Sequence, residues 1–86
     1  MGVSGRRARI GFTDQADEQI DRLTEGEVYA LDRALAALSV DPEMGAFVPN
    51  SDPGLRRYSD EVENVTVIYC TTALRITVIV VAYVEV

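Results

Sequence analysis

The 86-residue chain has no histidine, no lysine, no tryptophan and only one cysteine, Cys70. Without histidine there is no His-based catalytic triad and no His-ligated zinc. Without lysine there is no Schiff-base nucleophile and no P-loop lysine. One thiol can form neither an internal disulfide nor a four-cysteine zinc site. Such a short chain buries only about 60–65% of its unfolded surface, so its stability is expected to be marginal, with no internal disulfide to add to it. No cofactor and no metal are expected. Long apolar runs are missing too. The longest, residues 76–84, is interrupted by Thr77 and falls well short of the ~20 residues a spanning helix needs. The first ten residues are polar and basic, unlike a signal peptide. These features predict one soluble cytoplasmic domain, residues 1–86, with no membrane partner.

Charge is present but lopsided. Eight arginines face fourteen acids, a net charge of −6 and a pI near 4.4. Arg6, Arg7 and Arg9 form a basic stripe, and residues 10–86 then hold five arginines against the fourteen acids. A free-standing nucleic-acid binder normally has a broad basic footprint, which this chain lacks as a whole.

Apolar periodicity sets the element order. Ala8, Ile10 and Phe12 alternate with Arg7, Arg9 and Gly11, the period-2 pattern of a strand over 6–12. Thr13 or Asp14 can cap a helix carrying Ala16, Ile20 and Leu23 on one stripe, with Glu18 and Arg22 paired at i, i+4. Gly26 is expected to end that helix. A second helix is predicted over about 27–39, its stripe formed by Val28, Leu31, Leu35 and Leu38 and widened by Ala30, Ala34 and Ala37. Asp41-Pro42 stops it. Residues 41–54 hold all three prolines and read as a long loop pinned to the core by Phe47 and Val48. Three strands then follow. Residues 55–60 are short, charged and edge-like, 65–72 are β-branched and aromatic, and 74–86 are almost wholly apolar and therefore interior. The predicted fold is α+β: β-α-α-β-β-β, a four-stranded, mainly antiparallel sheet with a helical hairpin on one face.

Strict alternation in the last strand puts Ile76, Val78, Val80, Ala82 and Val84 on one face, and Arg75, Thr77, Ile79, Val81, Tyr83 and Glu85 on the other. The all-apolar face should take the helices. The mixed face then leaves Arg75, Ile79, Val81 and Tyr83 as a partner interface, for another polypeptide or for a second copy in a homodimer.

This element order resembles the RelE/ParE toxin superfamily of type II toxin–antitoxin systems. The motifs carrying the likeness are Asp41-Pro42 after the helical hairpin, Leu55-Arg56-Arg57-Tyr58, Val67-Ile68-Tyr69 and Ile76-Thr77-Val78-Ile79. The resemblance implies a toxin held inactive by a cognate antitoxin, and a target that is either translation, through mRNA cleavage at the ribosome, or DNA gyrase. RelE-like cleavage is metal-independent. It uses cations to stabilise charge on the scissile phosphate and side chains to move protons. Arg57 matches one of the family's basic positions. Ser59 and Thr66 stand at two others, and the chain closes on Tyr83, Val84, Glu85 and Val86.

The candidate site residues follow. Arg57, Tyr83 and Glu85 are the catalytic candidates. Arg7, Arg9, Arg56 and Arg57 could grip phosphate, with Tyr58 stacking a base. Each has a plainer role available: a charge-protected strand edge for 56–58, a solvated terminus for Arg7 and Arg9, and an interface aromatic for Tyr83. Tyr69 is expected in the core or at its boundary, and Cys70 as a small buried hydrophobe. The alternative to a toxin is a non-catalytic interaction or dimerisation domain of the same fold.

Overall fold

The computed structural model describes residues 8–51, 54–60, 62–73 and 77–86. The described elements are β1 (Arg9–Phe12), α1 (Asp14–Ile20), α2 (Glu25–Val40), β2 (Ala46–Phe47), β3 (Arg56–Ser59), β4 (Thr66–Ala73) and β5 (Thr77–Glu85). They form an α+β fold with a mixed five-stranded sheet in the order β1-β5-β4-β3-β2. β1 runs parallel to β5, and the other neighbours are antiparallel.

The helix starts follow from their caps. The Thr13 side chain accepts from the Ala16 N–H at 3.2 Å and begins α1. At α2, the Thr24 hydroxyl accepts from the Glu27 N–H at 3.2 Å, and the Glu27 carboxylate accepts from the Thr24 N–H at 2.8 Å. This reciprocal box satisfies two otherwise orphaned donors. It also corrects the expected role of Gly26, which lies inside the first turn of α2 rather than ending α1. Because α1 stops at Ile20, Arg22 falls beyond it and does not form the helical pair expected with Glu18.

The core lies between the helices and one sheet face. Ala16 of α1 and Ala30, Leu31, Ala34, Leu35 and Leu38 of α2 are buried against Val65, Val67, Tyr69, Ile79, Val81 and Val84. Ile79 and Val81 are therefore fully buried core residues, not an interface. The cause is an irregularity in β5. Tyr69 pairs with Val81 but Ile68 pairs with Tyr83, so Ala82 is an extra residue in β5. A bulge of this kind reverses which side chains face which way. Before it, Ile79 and Val81 face the helices while Val78 and Val80 face away. After it, Val84 faces the helices while Tyr83 and Glu85 face away. The all-apolar face expected to take the helices is thus split at Ala82.

Other expectations change at the sheet edge. β3 is not an edge strand, because β2 pairs outside it. Phe47 is 65% exposed rather than pinned to the core, and the Arg56 guanidinium stacks 4.0 Å from its ring centroid. The connection between β4 and β5 lies outside the described residues.

Candidate functional site

Cross-strand register builds a row on the helix-free face. Arg57 of β3 pairs with Ile68 of β4, and Ile68 pairs with Tyr83 of β5. The strands lie about 4.8 Å apart, so the Arg57 and Tyr83 backbones are separated by roughly 10 Å with Ile68 between them. The next row is Ser59, Thr66 and Glu85, with the Ser59 and Thr66 hydroxyls 2.8 Å apart. Glu85 reaches back diagonally to Arg57, carboxylate to guanidinium, at 3.7 Å. The three catalytic candidates Arg57, Tyr83 and Glu85 therefore meet around Ile68. The bulge at Ala82 is what brings Tyr83 and Glu85 onto the Arg57 face.

Two contacts from α1 hold that bulge. The Thr13 hydroxyl donates to the Ala82 carbonyl at 2.5 Å, and the Gln19 side-chain carbonyl accepts from the Val84 N–H at 2.6 Å. The cap of α1 and the geometry of the site are thus one structural unit.

The chemistry available is a cation, a carboxylate and a phenol within one cluster. Both members of the Arg57–Glu85 pair are about half exposed. An exposed pair at this distance is worth about 0–1 kcal/mol, so an incoming anion displaces Glu85 from Arg57 at little cost.

The remaining candidates scatter. Arg56 staples the preceding loop, donating to the Glu43 and Gly45 carbonyls at 2.9 and 2.7 Å. Its side chain is committed to structure rather than to phosphate. Arg9 is exposed on β1, beside Val78 and away from the Arg57 row. Tyr58 packs against the helix-side core. Arg7 and Arg75 lie outside the described residues. Cys70 is half-buried on the helix-free face, paired with Val80, rather than in the core. Tyr69 is fully buried. Its hydroxyl accepts from the Gly45 N–H at 3.0 Å and donates to the Pro42 carbonyl at 2.7 Å. Burial pushes this phenol above its ordinary pKa.

Sequence reasoning missed the Ser59–Thr66 hydroxyl pair, although the period-2 step from Arg57 to Ser59 puts both on one face. It also missed Val78 and Val80 as helix-free positions, and nothing in the sequence marks the bulge. Among the described residues no group of three metal-ligating side chains occurs, and no helix is long and apolar enough to cross a membrane. No family model, curated protein or solved structure matches this chain.

Proposed function

We propose that this chain is a toxin of the RelE/ParE kind, silenced when a cognate antitoxin covers it, with its working surface around Arg57, Tyr83 and Glu85. One observation carries this reading: the bulge at Ala82 gathers those three side chains on a sheet face that neither helix occupies. Arg57 is the group that meets phosphate on an RNA target. Glu85, once displaced, is placed to accept a proton, and the Tyr83 hydroxyl to donate one. The finer topological likeness, a helical hairpin over a β3-β4-β5 meander with β1 beside β5, supports the same proposal. Gyrase remains the other target of this fold, and it requires no nucleolytic chemistry.

The test is induced expression in a bacterial host. Wild-type chain is expected to arrest growth, and Arg57→Ala at equal protein level to restore it by an order of magnitude or more in viable count. Arrest that survives Arg57→Ala removes the phosphate role, and no arrest at all removes the toxin reading. A second reading, a non-catalytic interaction domain, is favoured by the Arg57 environment. Arg57 is already paired with Glu85, and Arg56 is tied to the loop. Unchanged growth at high expression selects that reading.

A further inference from the structure

β1 ends at Phe12, which pairs with Val81, so from Ala82 onward β5 has a described strand neighbour only on its β4 side. There the ladder resumes after the bulge for three pairs, Ile68 with Tyr83, Val67 with Val84 and Thr66 with Glu85. On the other side α1 stands where a strand would. The Thr13 N–H donates to the Val81 carbonyl at 3.1 Å, and the Thr13 hydroxyl donates to the Ala82 carbonyl at 2.5 Å. Consecutive carbonyls of a regular strand point to opposite sides. One threonine reaches both because the bulge turns them the same way. The same hydroxyl accepts from the Ala16 N–H in the first turn of α1. Gln19, near the other end of α1, accepts from the Val84 N–H at 2.6 Å.

α1 is itself lightly held. It has seven residues, and Ala16 is the one it buries fully, with Ile20 only partly buried. An acid, Asp21, stands at its C-cap, and its last turn carries no basic residue. A helix this short gains little from its own hydrogen bonds, and the C-cap charge opposes its dipole. Elements of this kind open ahead of the global transition. α2, by contrast, runs sixteen residues and buries Ala30, Leu31, Ala34, Leu35 and Leu38.

We propose that α1 and residues 82–86 form a strap that opens and closes as one unit, latched by Thr13 and Gln19. Opening withdraws Tyr83 and Glu85 from Arg57 and leaves the sheet ahead of the bulge in place. The consequence for activity rests on the working surface proposed above: cation, carboxylate and phenol stand together only while α1 is docked. Whatever lifts α1 disarms the cluster without touching it. Whatever bridges Arg57 to Tyr83 tightens the docking of α1 by the same free energy.

Amide hydrogen exchange of the full chain, read residue by residue by NMR without substrate, tests the strap whether or not the chain is toxic. In wild type the amides of residues 17–20 and 83–85 are expected to share one opening free energy. Relative to their unstructured rates, they should exchange about ten-fold or more faster than those of Ala34, Leu35 and Leu38. Low denaturant should change their opening little and that of α2 strongly, because a partial opening exposes less surface. Thr13→Val is expected to speed exchange at residues 83–85 about ten-fold, and Gln19→Leu to do the same at residues 17–20. Thr13→Ser keeps the hydroxyl and Gln19→Glu keeps the acceptor, so both should stay near wild type. The proposal is overturned by any of three results: two segments with different opening free energies, both exchanging at the rate of α2, or substitutions that each speed only one segment. Growth arrest enters none of these readouts, so the toxin reading and the strap stand or fall separately.

Discussion

The Tyr69 hydroxyl ties together pieces of chain far apart in sequence. It bonds the Gly45 N–H and the Pro42 carbonyl, so the loop after α2 is fastened to the core side of β4. Gly45 is needed for this close approach, because a Cβ there would sit 2.6 Å from that hydroxyl and 2.8 Å from the Arg57 carbonyl oxygen. Tyr69→Phe keeps the ring and removes the hydroxyl, leaving two backbone groups without their partner. A cost of about 1–3 kcal/mol is expected in denaturant unfolding at pH 7. The pH dependence has a definite sign. The folded-state pKa of Tyr69 is raised, so its contribution is complete below the ordinary tyrosine value of about 10 and is lost as pH rises through the higher folded value. Stability should therefore fall above about pH 10, and Tyr69→Phe should flatten that alkaline limb. An unchanged limb would show that the Tyr69 hydroxyl contributes nothing to stability.

The elements are fixed to one another at two joints, and each gives a prediction. The first is the β5 bulge. The Gln19 side chain of α1 accepts from the Val84 N–H, and Gln19→Leu strands that donor. A loss of about 1–3 kcal/mol is expected, with the Tyr83 environment altered in near-ultraviolet circular dichroism. The second is the turn between β3 and β4. Asp60 accepts two hydrogen bonds from the Arg33 guanidinium of α2, at 3.1 and 2.9 Å, and two from the Val62 and Glu63 N–H groups. Those bonds, the Arg33 pair foremost, hold its carboxyl well below the usual carboxylate range. A depressed folded value means the contribution is present above the unfolded value of about 4 and is lost as pH falls through the folded one. Asp60→Asn should therefore melt at a lower temperature than wild type at pH 7, with the difference shrinking below about pH 4. The joints also explain what was legible in the sequence. The α2 stripe of Leu31, Leu35 and Leu38, the Asp41-Pro42 stop and the three C-terminal strands follow from local periodicity and proline sterics. The facing of Ile79 and Val81 does not, because Thr13 and Gln19, more than sixty residues away, hold the bulge that decides it. Within the site, the grouping of Tyr83 with Glu85 was legible and their nearness to Arg57 was not. Phe47 looked like a core residue only because its stacking partner, Arg56, was unknown.

Across the whole molecule charge is segregated, with acids crowded on the helical side. Asp14, Asp17, Glu18, Asp21 and Glu25 are all exposed, and Arg22 is the one cation among residues 14–32. Their mutual repulsion works against folding and is screened by salt, since the Debye length drops from about 30 Å at 0.01 M to about 10 Å at 0.1 M. The melting temperature should therefore rise between those concentrations. Position along the helices sharpens the prediction. Asp21 is the C-cap of α1, where the negative end of the helix dipole disfavours an acid, and the last turn carries no basic residue. Glu25 opens α2, where the positive end favours one. Asp21→Lys and Glu25→Lys change the net charge equally, yet only the first also improves the dipole interaction. That interaction is worth about 0.3–1 kcal/mol, and for a domain of this size about 1 kcal/mol moves the melting temperature by about 4–8 °C. Asp21→Lys should therefore stabilise the chain by several degrees at low salt and Glu25→Lys by clearly less, the two converging on wild type near 1 M salt. Equal shifts would mean that net charge alone acts and that the placement of acids on the helices carries no energy of its own.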